Sequence, residues 1–128
     1  MSNLILLMKV VFHTLTGQTK RFIQKLDLPS EAIVELSPVG QSPLLSEPFI
    51  LILPTYNDNI DFVEDFLVEN QTFCRGIIGI GNRNFGTDFC REARELSQEY
   101  HLPLLYELEF NGTEADINTV KGILRNES

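Results

Sequence analysis

Apolar residues fall in five short runs, and between the runs apolar positions recur at three- and four-residue spacing. The first run, LILLMKVVF over Leu4 to Phe12, is almost continuous, as an interior strand covered on both faces requires. In the following TGQTKRFIQKL, Phe22, Ile23 and Leu26 form one helical stripe, with Lys20, Arg21 and Lys25 largely outside it. AIVEL (Ala32 to Leu36) is short and broken by a charge, which suits an edge strand, and Pro38, Gly40 and Pro43 mark a loop after it. PFILILP (Pro48 to Pro54) predicts the third strand, and a helix through Phe62, Val63, Phe66 and Leu67 follows. RGIIGI (Arg75 to Ile80) predicts a fourth strand whose glycines imply close backbone packing. A helix over about Thr87 to Tyr100 turns Phe89, Ala93 and Leu96 inward, and LPLLYELEF (Leu102 to Phe110) is the fifth strand. Thr113 then opens a T-x-x-D approximation to a capping box before the last helix.

Alternation of buried strands with helices means a parallel sheet covered on both faces. The pattern predicts one domain over residues 1–128, an α/β doubly wound three-layer sandwich with a five-stranded parallel sheet in order 2-1-3-4-5. In this class ligands bind beyond the carboxyl ends of the strands, where the strand order reverses. Three loops reach that place: Thr14 to Thr19, Thr55 to Asn59 and Gly81 to Gly86.

Composition narrows the function. Eighteen acidic against ten scattered basic residues give a formal net charge of −8, which argues against nucleic acid as a partner. Cys74 and Cys90, sixteen apart, and only two histidines leave no metal-ligand spacing, so buried thiols in a reducing cytoplasm are expected. The apolar N-terminus lacks a basic n-region and a small-residue cleavage site, and its run is too short to span a membrane. A receiver domain is excluded, because His13, Thr14 and Pro54 stand where its acidic and phosphorylatable residues would be.

TLTGQT, directly after the first strand, has the hydroxyls and the glycine to cradle a phosphate at a helix N-terminus; the competing use is a plain threonine cap. Gly17, Gln18 and Thr19 are not the Gly-Lys-Ser/Thr that an ATP-type loop needs. Tyr56 in the second loop is either a stacking surface for a flat ring or an ordinary loop tyrosine. GIGNRNFG fails as a dinucleotide fingerprint, since Asn84 replaces its third glycine and the loop follows the fourth strand. Gly81 and Gly86 permit tight turns, Asn82 and Asn84 offer amides, and Phe85 offers a face, which suits a heteroaromatic edge; a glycine-rich turn with a core phenylalanine is the alternative. Together the loops point to a mononucleotide, best flavin mononucleotide (FMN), whose reduced form an acidic shell would tune. No nucleophile or acid/base constellation competes.

TLTGQTKRFIQKL resembles the phosphate loop and helix of flavodoxins, and GNRNFG with the F-x-G-T-x-x-D pattern (Phe110, Gly112, Thr113, Asp116) resembles the NrdI family, small flavodoxin-like proteins that serve class Ib ribonucleotide reductase. The resemblance runs from Lys9 to about Leu124. It implies that reduced FMN reacts with dioxygen and that superoxide passes to the β subunit for dimanganese-tyrosyl radical assembly, with a flavin reductase or other donor supplying electrons. It also implies a cytoplasmic protein with neither nucleic acid nor membrane as a partner. By position, Thr14, Thr16, Gly17, Gln18 and Thr19 would hold the phosphate; Thr55, Tyr56 and Asn57 would lie by the flavin from the second loop, and Gly81, Asn82, Asn84, Phe85 and Gly86 from the third. Two positions depart from the family: the second loop reads NDNIDF where glycines are usual, and His13 replaces a common serine. The departures keep two alternatives open, a general flavodoxin electron carrier and a divergent paralogue acting as a flavin-free binding module.

Overall fold

A computed structural model describes residues 8–13, 17–55, 61–82 and 90–126. The five apolar runs form one parallel sheet of β1 (Lys9–Phe12), β2 (Ile33–Glu35), β3 (Phe49–Pro54), β4 (Cys74–Gly81) and β5 (Leu104–Glu109), in the order β2-β1-β3-β4-β5. Between and after them lie the helices α1 (Gln18–Leu26), α2 (Asp61–Asn70), α3 (Arg91–Glu99) and α4 (Glu114–Asn126).

The apolar runs hide a period of two. Val10 and Phe12 of β1 with Ile50 and Ile52 of β3 pack against Phe22, Ile23 and Leu26 of α1 and Val120 and Leu124 of α4. Their neighbours Val11, Leu51 and Leu53 face the other way, onto Val63, Phe66 and Leu67 of α2 and Ala93 and Leu96 of α3. Two helices per face therefore bury both sides of the sheet, and a strand apolar at every position is what such burial selects. The expected closeness at the glycines of β4 is literal: a Cβ on Gly79 would stand 2.9 Å from the Cβ atoms of both Ala93 and Cys90.

Several element ends differ from the sequence reading. β1 begins at Lys9, and residues 4–7 of the predicted strand lie outside the described residues. β2 is only three residues, because Ser30–Ala32 closes as a 3₁₀ turn. β5 stops at Glu109, since Phe110 takes a left-handed backbone with φ 54° that no strand continues. α3 runs over Arg91–Glu99 behind Cys90, also left-handed at φ 54°; residues 87–89 of the predicted helix lie outside the described residues. No described helix is long and apolar enough to cross a membrane.

Candidate functional site at the carboxyl edge of the sheet

Because all five strands run parallel, their carboxyl ends bring His13, Leu36, Thr55, Gly81 and Phe110 to one edge of the sheet. Gly17 caps α1 with φ 90°, a left-handed conformation that glycine adopts at little cost, and it makes no side-chain cap hydrogen bond. In the first turn behind it, Gln18 Oε1 and Thr19 Oγ1 are buried and have no hydrogen-bond partner among the described residues. A buried polar atom left in that state costs roughly 1–3 kcal/mol, so such atoms are rare unless a ligand completes them. The threonine hydroxyl is a donor, and the glutamine amide presents donor and acceptor from the same position.

Charge at this turn favours an anion. Of the four described helices, α1 alone has no acidic residue in its first turn, whereas α2 has Asp61 and Glu64, α3 Glu92, and α4 Glu114 and Asp116. The positive end of its dipole is thus left uncompensated. One helical turn on, the Arg21 guanidinium reaches back to within 3.8 Å of the place a Gly17 Cβ would occupy. Arg21 counted in the sequence as an outward charge; its i+4 spacing from the glycine was the available signal. Thr14 and Thr16 lie outside the described residues.

The second and third loops are described only at their roots. Thr55 is engaged on two sides: its hydroxyl donates to the Ile80 carbonyl at 3.1 Å and accepts the Cys90 N–H at 2.8 Å. Its hydroxyl therefore ties the end of β3 to the end of β4 and the start of α3, which holds the roots of both loops together. Gly81 ends β4, and its carbonyl accepts the Phe110 N–H at 3.0 Å, which fastens it to β5; Asn82 follows, half-buried. Tyr56, Asn57, Asn84, Phe85 and Gly86 lie outside the described residues.

His13 closes the opposite side. Its Nδ1 lies 3.5 Å from the Leu36 carbonyl, and its ring meets Phe62 edge-on at a centroid distance of 4.7 Å. Burial pushes its pKa below the ordinary imidazole value, against the smaller opposing pulls of the Leu36 carbonyl and the Glu35 charge. Cys74 and Cys90 are both buried and not joined to each other, and burial pushes the Cys74 pKa up to about 11. No group of three metal-ligating side chains occurs among the described residues.

Comparison with known proteins accounts for this edge. The NrdI flavodoxin-like family matches over residues 10–122, which include the carboxyl end of every strand. The chain belongs to the NrdI flavodoxin-like family. Protein NrdI of Wigglesworthia glossinidia brevipalpis is 36% identical over 120 residues, covering 88% of this chain and 84% of that protein. Protein NrdI of Erwinia tasmaniensis is 38% identical over 127 residues, covering 89% of each. Among solved structures, a short-chain flavodoxin associated with a non-canonical PDU bacterial microcompartment superposes with a TM-score of 0.56 at 14% identity, over 94% of each chain, and so shares the fold.

Membership in the NrdI family implies a flavin cofactor. The phosphate end of a flavin nucleotide fits the residues present: a left-handed glycine, a threonine hydroxyl with no partner among the described residues, an acid-free helix start and a guanidinium converge where a phosphate monoester needs donors and positive charge.

Proposed function

We propose that this chain binds FMN and supplies the oxidant for radical assembly in the β subunit of class Ib ribonucleotide reductase. Family membership supports the link to the reductase, and the buried Thr19 hydroxyl behind Gly17, with no partner among the described residues, carries the cofactor reading.

In this reading Thr14, Thr16, Gly17, Gln18 and Thr19 hold the phosphate, and Arg21 offsets its charge. Tyr56 and Asn57 flank the ring from the second loop, Gly81, Asn82, Asn84, Phe85 and Gly86 from the third. Thr55 positions both walls through its bonds to Ile80 and Cys90. The bound, reduced flavin supplies one-electron reduction of dioxygen, and the superoxide so formed serves the dimanganese-tyrosyl site of the β subunit. The chain's own part is to fix the phosphate, orient the ring at the sheet edge and leave that edge open to a partner. Electrons reach the flavin from a flavin reductase or other donor.

The test is electron spin resonance of a manganese-loaded class Ib β subunit with dioxygen and the reduced protein. Tyrosyl radical should appear only when the flavin-loaded protein is present. Equal radical yield from an ordinary flavodoxin would reduce this chain to a general electron carrier.

A further inference from the structure

On the α2 face, away from α1, the chain between β2 and β3 (residues 36–48) runs beside α2 and leaves a groove of about 510 Å³. Leu36, Pro38, Pro43, Phe62 and Val68 make up the apolar half of its walls. Five large hydrophobic side chains are exposed among the described residues; Val68, 61% exposed on α2, lines the groove, and Val39 and Leu44, each 77% exposed, lie on the loop that borders it. Clustered exposed apolar side chains mark interaction surfaces far more than isolated ones do.

The groove is built, not a slack loop. Asn70, itself 1% exposed, accepts the Leu45 N–H at 2.7 Å and donates to the carbonyls of Pro43 at 3.0 Å and Phe66 at 2.9 Å. One buried amide thus pins the loop to the helix and holds the walls apart.

Charge selects the occupant. Asp65 and Glu69 line the groove, no basic residue does, and neither carboxylate has an ion-pair partner among the described residues. α2 carries Asp61, Glu64, Asp65 and Glu69 and not one cation. The crowding is felt at Glu64, whose pKa is raised by partial burial and then by the neighbouring charges of Glu99, Asp61 and Asp65. Such a rim repels anionic surfaces and steers cationic ones.

We propose that this groove is a docking site for a partner segment that carries an apolar side chain flanked by lysine or arginine. The apolar side chain fills the space over Phe62 and Val68, and the flanking cations meet Asp65 and Glu69. Leu36 and Phe62 in its wall touch His13, the residue before the first loop, so the groove adjoins the proposed flavin edge. Segment and flavin can therefore bind together, and the proposal stands whether or not the chain takes FMN.

The probe is a phage-displayed library of twelve-residue peptides, panned at low salt on the full-length protein with and without FMN. Enriched peptides should share an apolar residue with lysine or arginine close by, and a synthetic peptide of that sequence should bind at least tenfold more weakly to Val68→Asp and to Glu69→Lys. Both positions are exposed, so unchanged thermal unfolding will show the variants folded. Affinity should also fall as salt is raised. No enrichment, enrichment of acidic peptides, equal binding to the variants, or displacement of the peptide by FMN each overturns the proposal, as does self-association of the protein through this face.

Discussion

Two strand-to-helix junctions lie at the same edge of the sheet and are finished in opposite ways. At the junction from β5 to α4, every polar group of the F-x-G-T-x-x-D pattern that can be followed is satisfied within the chain. Thr113 Oγ1 accepts the Asp116 N–H at 3.1 Å, Asp116 accepts the Thr113 N–H at 2.9 Å, and the Tyr106 hydroxyl donates to the same carboxylate at 2.6 Å. The expected capping box is therefore real and closed on itself. At the start of α1 the opposite holds: Gly17 caps it without a side-chain hydrogen bond, its first turn has no acid, and two buried oxygens have no partner among the described residues. A motif that closes on itself is there to hold the fold, and one that stays open is there for something else to close.

The closed junction also aims the open one. Lys25 of α1 donates to Asn111 Oδ1 at 2.7 Å and to the carbonyls of Asn111 and Gly112, both at 3.2 Å. A Cβ on Gly112, whose φ is 78°, would stand 2.7 Å from Phe22 Cδ1, so α1 is clamped against the turn three residues beyond Thr19.

The largest effect should come from breaking that clamp. Gly112→Ala forces a left-handed alanine into the side of a fully buried ring, and a loss of roughly 2–4 kcal/mol is expected in urea unfolding. The variant should lose flavin affinity as well, because α1 moves. Thr113→Ala removes only the box hydroxyl and should cost about 1 kcal/mol, with flavin affinity kept.

A smaller effect should appear at His13. The folded state holds its pKa below the ordinary 6.5, so folding favours the neutral ring. Stability from this source is present above that value and is lost as pH falls through the lowered folded value. Relative to His13→Phe, the protein should lose thermal stability on acidification from about pH 7.5 to about pH 5. Parallel pH profiles for the two proteins would show that the ring contributes nothing.

The fold was readable because burial on both faces left little freedom: strands apolar at every position and amphipathic stripes such as Phe22, Ile23 and Leu26 allow one arrangement. Strand order and the edge position of β2 followed from that pattern. The ends were not readable, because Cys90 and Phe110 adopt left-handed backbones that neither residue type signals. At the site, TLTGQT pointed to the junction where the two buried oxygens lie, but the surroundings of two residues were not legible in it. Nothing in the sequence showed that the exposed Arg21 bends its guanidinium back toward Gly17, or that the Thr55 hydroxyl bonds to Ile80 and Cys90. The F-x-G-T-x-x-D pattern carried family identity, yet its visible work is structural.

The most direct test of an open α1 junction is a fluorescence titration of FMN into the apo forms of Thr19→Val and Thr113→Ala, with urea unfolding of each. Thr19→Val removes an unmet buried hydroxyl while keeping the shape. It should leave the apo protein as stable as the parent or about 1 kcal/mol more stable, and weaken FMN at least about tenfold. Thr113→Ala should do the reverse, losing stability with affinity unchanged. A Thr19→Val protein that binds FMN as tightly as the parent would contradict the assignment of this turn to the phosphate.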